Sequence, residues 1–172
     1  IESLLNLTRM EKPKTEIHAL NDIVHLSLQS SKVPNTVEVV TNFPDEAISV
    51  QIDAEQIRMA FKNIIRNAVQ SMDDSGKLIV RIRSSVSEQA EVSVTDTGPG
   101  ISPEHIEKVF EPLFSTKTHG IGFGLSITKM IIENHGGTIT AESNPGTGAV
   151  FAITLPTDRT ETISKPLPTE HH

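Results

Sequence analysis

The chain has 172 residues with no cysteine, tryptophan or tyrosine, and 36% hydrophobic against 22% charged residues, enough for one cored domain and too balanced for a wholly disordered chain. The lack of cysteine excludes disulfides and thiolate metal sites, and no apolar run nears the roughly 20 residues that a bilayer crossing needs. A formal charge of −7 disfavours a nonspecific nucleic-acid binder, so an anionic ligand must be drawn by local cations, backbone N–H groups or a metal.

In chain order, Ile1, Leu4, Leu5 and Leu7 have the spacing of the last turns of an amphipathic helix, stopped at Pro13. Residues 1–13 are therefore expected to end an element of a longer protein. Ile17, Leu20, Ile23, Val24 and Leu28 predict a helix to about Ser31, and residues 37–43 and 49–52 predict short strands. Asp53 is placed to cap a helix over 54–72, whose apolar stripe is Ile57, Ala60, Phe61, Ile64, Ile65, Ala68 and Met72. Residues 77–85 and 91–96 alternate as a hairpin across a turn at 87–90. A short helix is expected at 103–109, and a longer one at 123–135 closed by Gly136-Gly137. A terminal strand pair at 138–142 and 149–155 is joined through Asn144-Pro145-Gly146-Thr147-Gly148. Residues 157–172 lack apolar periodicity and read as a disordered tail whose final Glu170-His171-His172 is consistent with a tag remnant. Strands and helices do not alternate one for one, which predicts an α+β two-layer sandwich over 14–156, with helices on one face of a mixed sheet.

Chemistry concentrates in a few places. Asn63 and Asn67 share one face of the 54–72 helix, and an amide oxygen suits a magnesium ion that also keeps waters and phosphates. Arg58, Lys62 and Arg66 recur on an adjoining face, and a merely solvated polar face would look the same. Asp96-Thr97-Gly98-Pro99-Gly100 leaves a strand. Its carboxylate can accept the exocyclic amino hydrogen of adenine, its glycines let backbone approach a flat ring, and an ordinary Asp-Gly turn is the plain alternative. Gly120-Ile121-Gly122-Phe123-Gly124 opens a helix, where free N–H groups make an anion site or, more simply, a hinge. Upstream, Phe110 and Phe114 flank Glu111-Pro112-Leu113, with Lys117 just beyond, in the pattern of an anchored lid over phosphates.

The order of these elements resembles the ATP-binding catalytic domain of bacterial sensor histidine kinases, over residues 17–156. Residues 67–72 and 115–117 look closest to the nitrogen-regulation type. The resemblance implies the fold shared with the DNA gyrase ATPase, the mismatch-repair ATPase and the large heat-shock chaperone (the Bergerat-type ATP-binding fold of the GHKL superfamily, with a mobile lid). It implies ATP and Mg2+ as cofactors, with Asn67 as magnesium ligand and Asn63 in support. It further implies that Asp96 reads adenine in a pocket shaped by Gly98 and Gly100, that Phe110 and Phe114 form the F box, and that Lys117 meets the terminal phosphates. Gly120, Gly122, Gly124 and Leu125 would line the lid and phosphate site, and Gly146 and Gly148 match a last, structural glycine box. Asn67, Lys117 and Arg66 are the expected catalytic residues. Two departures stand out. The basic residue and tyrosine that often follow the second asparagine are replaced by Gln70 and Ser71, leaving phosphate contact to Arg66 and Lys117. Neither His18 nor His25 fits the family's phosphoacceptor pattern, so the acceptor is expected upstream, on a dimerisation domain whose second helix ends in residues 1–13.

The implied partners are ATP or ADP, the dimerisation domain and a response-regulator receiver domain, with no nucleic acid and no membrane contact by this chain. The chain would be monomeric and cytoplasmic, and its parent dimeric and either cytoplasmic or inner-membrane-anchored. His105, His119 and His135 read as surface or cap residues, and no His-x-x-x-His pair supports zinc. A related ATPase, an anti-sigma-type serine kinase and a degenerate nucleotide-binding regulator are the rival readings.

Overall fold

The computed structural model describes residues 11–112, 124–143 and 146–158. The expected helix remnant before residue 11 and the tail beyond 158 lie outside the described residues. The elements run β1 (Glu16–Ala19), α1 (Leu20–Ser30), β2 (Val37–Asn42), β3 (Ser49–Ile52), α2 (Ala54–Ser71), β4 (Gly76–Ser85), β5 (Gln89–Asp96), α3 (Pro103–Ile106), α4 (Gly124–Asn134), β6 (Thr138–Ser143) and β7 (Ala149–Pro156).

Five strands form one sheet in the order β2-β4-β5-β7-β6, and β1 pairs with β3 in a separate ribbon. Within the larger sheet the described β2–β4 pair is parallel and the other pairs are antiparallel. The register aligns Val80 with Val94 and Phe151, then Ile82 with Val92 and Ile153. These rows are buried with Phe61, Ile64, Ile65 and Ala68 of α2 and Ile131 and Ile132 of α4. The alternate strand residues, such as Arg81, Ser93 and Ala152, are only partly covered or exposed. A sheet with one face covered and one face wet requires this period of two. The expected α+β sandwich, mixed and mostly antiparallel, is the observed fold.

Three boundaries differ from the sequence pattern. Gln89 and Ala90, expected in the turn at 87–90, belong to β5, because they pair with Ser85 and Ser84 and Ala90 joins the buried row. Ile17 falls in β1, opposite Gln51, rather than in the first turn of a helix, and it is 52% exposed. Its spacing to Leu20 matches a helical period by coincidence, because pairing with β3 holds 16–19 extended and Leu20 starts the helix with its N–H on the Ile48 carbonyl at 2.8 Å. The helix expected over 103–109 stops at Ile106, and the chain continues in tight i→i+3 turns from Lys108 to His105 and from Glu111 to Lys108.

The start of α2 is a junction. Asp53 Oδ1 accepts the Gln56 N–H at 3.2 Å, as an N-cap should, while Oδ2 accepts the Lys14 N–H at 3.0 Å. The Asp53 N–H donates to His135 Nε2 at 3.1 Å, so the ring proton sits on Nδ1, which donates to the Ile131 carbonyl at 2.7 Å. One residue thus ties the arriving chain, the N-terminus of α2 and the C-terminal end of α4. Replacing Asp53 with alanine should lower the unfolding free energy by about 1–2 kcal/mol in urea titrations, the cost of a lost cap.

Candidate functional site

The alternation that buries Ala90, Val92 and Val94 on β5 continues to Asp96, which stands opposite Leu78 in a row patterned for hydrophobes. Asp96 is 2% exposed. Its Oδ1 accepts two backbone N–H groups, from Gly98 at 3.0 Å and from Ala149 at 3.3 Å. Its Oδ2 takes no hydrogen bond from any described residue. Oδ2 keeps a little contact with solvent, so water or a ligand's donor can meet it there.

The walls around this carboxylate come from three chain segments. A Cβ on Gly98 would lie 2.9 Å from the Ser71 carbonyl oxygen and 3.1 Å from its Oγ, so the end of α2 packs against the loop leaving β5. Gly148, at φ +92°, is closer still: a Cβ there would sit 2.0 Å from the Asp96 carbonyl oxygen. Gly100 also needs its freedom, with φ +79°. Between Asp96 and Gly98, Thr97 is held by its N–H and its hydroxyl on the Met72 sulfur at 3.3 and 3.5 Å, and its Oγ1 accepts the Lys77 N–H at 3.0 Å. The β6–β7 turn is stapled to the same loop. Gly146 N–H donates to the Pro99 carbonyl, and the Ser143 hydroxyl accepts from Ile101 N–H and donates to the Gly148 carbonyl, all at 2.7 Å.

Along α2, Asn63 reaches the first residue of α4, its Nδ2 donating to the Gly124 carbonyl at 3.4 Å. The same carbonyl accepts the buried Thr128 hydroxyl at 2.8 Å. Asn67 is half-buried one turn nearer the Asp96 end. Arg66 is exposed, makes no ion pair among the described residues, and projects about 100° around the helix from Asn67, so the helix does not bring these two together on one face. Leu125 is half-buried against the core, and a side chain at Gly124 would meet nothing within 4 Å. Phe110 is an anchor: its ring meets Phe151 edge-on at 6.2 Å, and Lys129 Nζ lies 5.7 Å above it. Phe114, Lys117, Gly120 and Gly122 lie outside the described residues.

Sequence reasoning named Asp96, Gly98 and Asn63 but missed the roles of Thr97, which ties the loop to its surroundings from within, and of Met72 and Ser143, which hold it from outside. The signal available was slight, a hydroxyl residue inside the Asp-Gly motif and another just before the last glycine turn. Among the described residues no cluster of three or more His, Asp or Glu could hold a metal by itself. The donor set fits a magnesium ion that arrives with phosphates and takes one amide oxygen, not a resident protein-only site. Gly148→Ala should cost about 2 kcal/mol or more in denaturant unfolding, since both its φ and the Asp96 carbonyl oppose a Cβ.

Comparison with known proteins identifies the family. The model of the histidine kinase-, DNA gyrase B- and HSP90-like ATPases matches residues 52–159. Sensor histidine kinase ZraS of Klebsiella oxytoca is 33% identical over 91% of this chain and 34% of its own length. The kinase AtoS of Escherichia coli is 32% identical over 91% of this chain and 26% of its own length. The chain thus spans about a third or less of these curated relatives. Among solved structures, the catalytic domain of histidine kinase ThkA aligns with TM-score 0.74 and 31% identity, over 83% of this chain and 95% of that one. The mycobacterial sensor histidine kinase MprB aligns with TM-score 0.75 and 26% identity, over 83% and 97%. With its buried aspartate framed by glycines at the sheet end and its sensor-kinase relatives, this chain belongs to the histidine kinase-, DNA gyrase B- and HSP90-like ATPase family, as a catalytic domain of the sensor histidine kinase type.

Proposed function

We propose that this chain binds Mg-ATP and donates the γ-phosphoryl group to a histidine on the dimerisation domain of a two-component sensor kinase. The observation that carries the reading is the half-satisfied carboxylate of Asp96. One oxygen is held by two backbone N–H groups, and the other is left for a donor at the mouth of a glycine-walled loop. The exocyclic amine of adenine supplies that donor, whereas guanine presents a carbonyl at the same position and would set two acceptors against each other.

From that anchor the nucleotide phosphates extend along α2 toward the start of α4. The Asn67 amide oxygen is the magnesium ligand in this reading, with Asn63 holding the Gly124 end of α4 in place. Magnesium bound with the nucleotide screens the phosphate charge. Lys117, Arg66 and the N–H groups around Gly120, Gly122 and Gly124 add further neutralisation, and the positive end of α4 favours an anion there. Phe110, fixed on Phe151, forms the F box with Phe114 in this reading. The acceptor imidazole attacks the γ-phosphorus in line, the bond to the bridging oxygen breaks, and ADP leaves. The phosphohistidine then serves a receiver domain of a response regulator. The catalytic chain itself is monomeric and cytoplasmic within a dimeric parent, and it contacts neither nucleic acid nor membrane.

Calorimetric titration with ATP, with and without magnesium, tests this directly. The chain should bind ATP in a magnesium-dependent way, and Asp96→Asn should weaken binding by about tenfold or more, because its amide would set a donor against the adenine amine or disturb the two N–H bonds. Unchanged affinity in that variant would remove Asp96 from adenine recognition. In a kinase reconstituted with its phosphoacceptor domain, Lys117→Ala should lower phosphotransfer at least about tenfold while the fold is kept. Retained turnover would assign the phosphate contact elsewhere.

A further inference from the structure

We infer that Ser143, which lies outside every nucleotide motif in the sequence, is a positioning residue that aims Asp96 at the purine; this rests on the nucleotide reading above. Ser143 is the last residue of β6, directly paired with Ala149 at the start of β7. Its hydroxyl donates to the Gly148 carbonyl and accepts from the Ile101 N–H, each at 2.7 Å.

The Gly148 carbonyl and the Ala149 N–H belong to one peptide plane, and that plane is rigid. At one edge the plane accepts the Ser143 hydroxyl, and at the other it donates to Asp96 Oδ1 at 3.3 Å. A continuous path therefore runs from Ile101 N–H through the Ser143 hydroxyl and the 148–149 peptide to the carboxylate. Rotation of the plane would break both of its bonds together. Nor can the plane settle elsewhere cheaply, because Gly148 is already pressed against Asp96 so tightly that a Cβ would overlap its carbonyl oxygen. The second arm of the hydroxyl, to Ile101, fixes the loop three residues beyond Gly98, the other donor to Oδ1. Both N–H groups that orient the carboxylate are thus tied to the same hydroxyl, one by the peptide plane and one by the loop, and Oδ2 is left facing the ligand. Chains of hydrogen bonds of this kind polarise one another, which adds to the geometric effect.

The test compares wild type, Ser143→Ala, Ser143→Thr and Asp96→Asn for ATP and GTP affinity by competition with a fluorescent ATP analogue, and reads the Ala149 amide by hydrogen exchange without nucleotide. Ser143→Ala should raise the Kd for ATP by about three- to tenfold, narrow the ATP-over-GTP preference, and speed exchange of the Ala149 amide by a similar factor. Ser143→Thr keeps the hydroxyl and should restore all three. Ser143→Cys, a weaker donor of similar shape, should shift them the same way by less, and it serves if the alanine variant unfolds. A Ser143→Ala protein that melts lower but keeps its nucleotide preference and its Ala149 protection would overturn the inference and leave a plain structural hydroxyl. If Asp96→Asn keeps the ATP preference, the nucleotide reading itself falls, while the Ala149 exchange still reports whether Ser143 holds the peptide.

Discussion

Placing a carboxylate in a row of hydrophobes sets the terms for everything around it. Asp96 continues the buried series Ala90, Val92 and Val94, so the sheet register alone carries it out of water. A desolvated carboxylate is tolerated only with hydrogen bonds, and here two arrive from main chain, one from its own loop and one from the start of β7. Main chain approaches that closely only where side chains are absent. That explains glycine at 98 and at 148, fifty residues apart, through a single local requirement. The antiparallel β5–β7 pairing then becomes part of the site, since it delivers the Ala149 N–H.

Helix α2 is the scaffold that joins this pocket to the rest of the molecule. Its N-cap meets the incoming chain and His135, its middle meets the first residue of α4 through Asn63, and its end presses Ser71 and Met72 against the Asp96 loop. The helix lies over the sheet by burying Ile57, Phe61, Ile64, Ile65 and Ala68, so its polar groups are located by the packing of their neighbours. A shift of α2 would be felt at both ends, because neither end is joined to the fold by apolar contact alone.

The matched family groups histidine kinase-, DNA gyrase B- and HSP90-like ATPases, so the fold by itself names no phosphoryl acceptor. In the proposed function the buried aspartate and its glycine walls hold the nucleotide, and the phosphoryl acceptor belongs to the dimerisation domain. Its curated relatives devote about a third or less of their length to the part that resembles this chain.

Much of this was legible in the one-dimensional pattern. The stripe of α2, the cap at Asp53, the alternation of β4 and β5 and the Asp96-Thr97-Gly98-Pro99-Gly100 turn depend on neighbours within a few residues, and such local periodicity survives in sequence. The identity of β1 did not, because Ile17 and Leu20 share a helical spacing and only the partner strand β3, some thirty residues on, makes 16–19 extended. The separation of Arg66 from the asparagine face was legible too, since helical periodicity alone sets neighbouring residues about 100° apart. The roles of Met72, Thr97 and Ser143 were also invisible, since each arises from contact between segments 20 to 40 or more residues apart. Sequence by itself determined which residues could do the chemistry; the tertiary structure alone decided which oxygen of Asp96 is tied down and which is open, because that depends on where two distant peptide N–H groups come to rest.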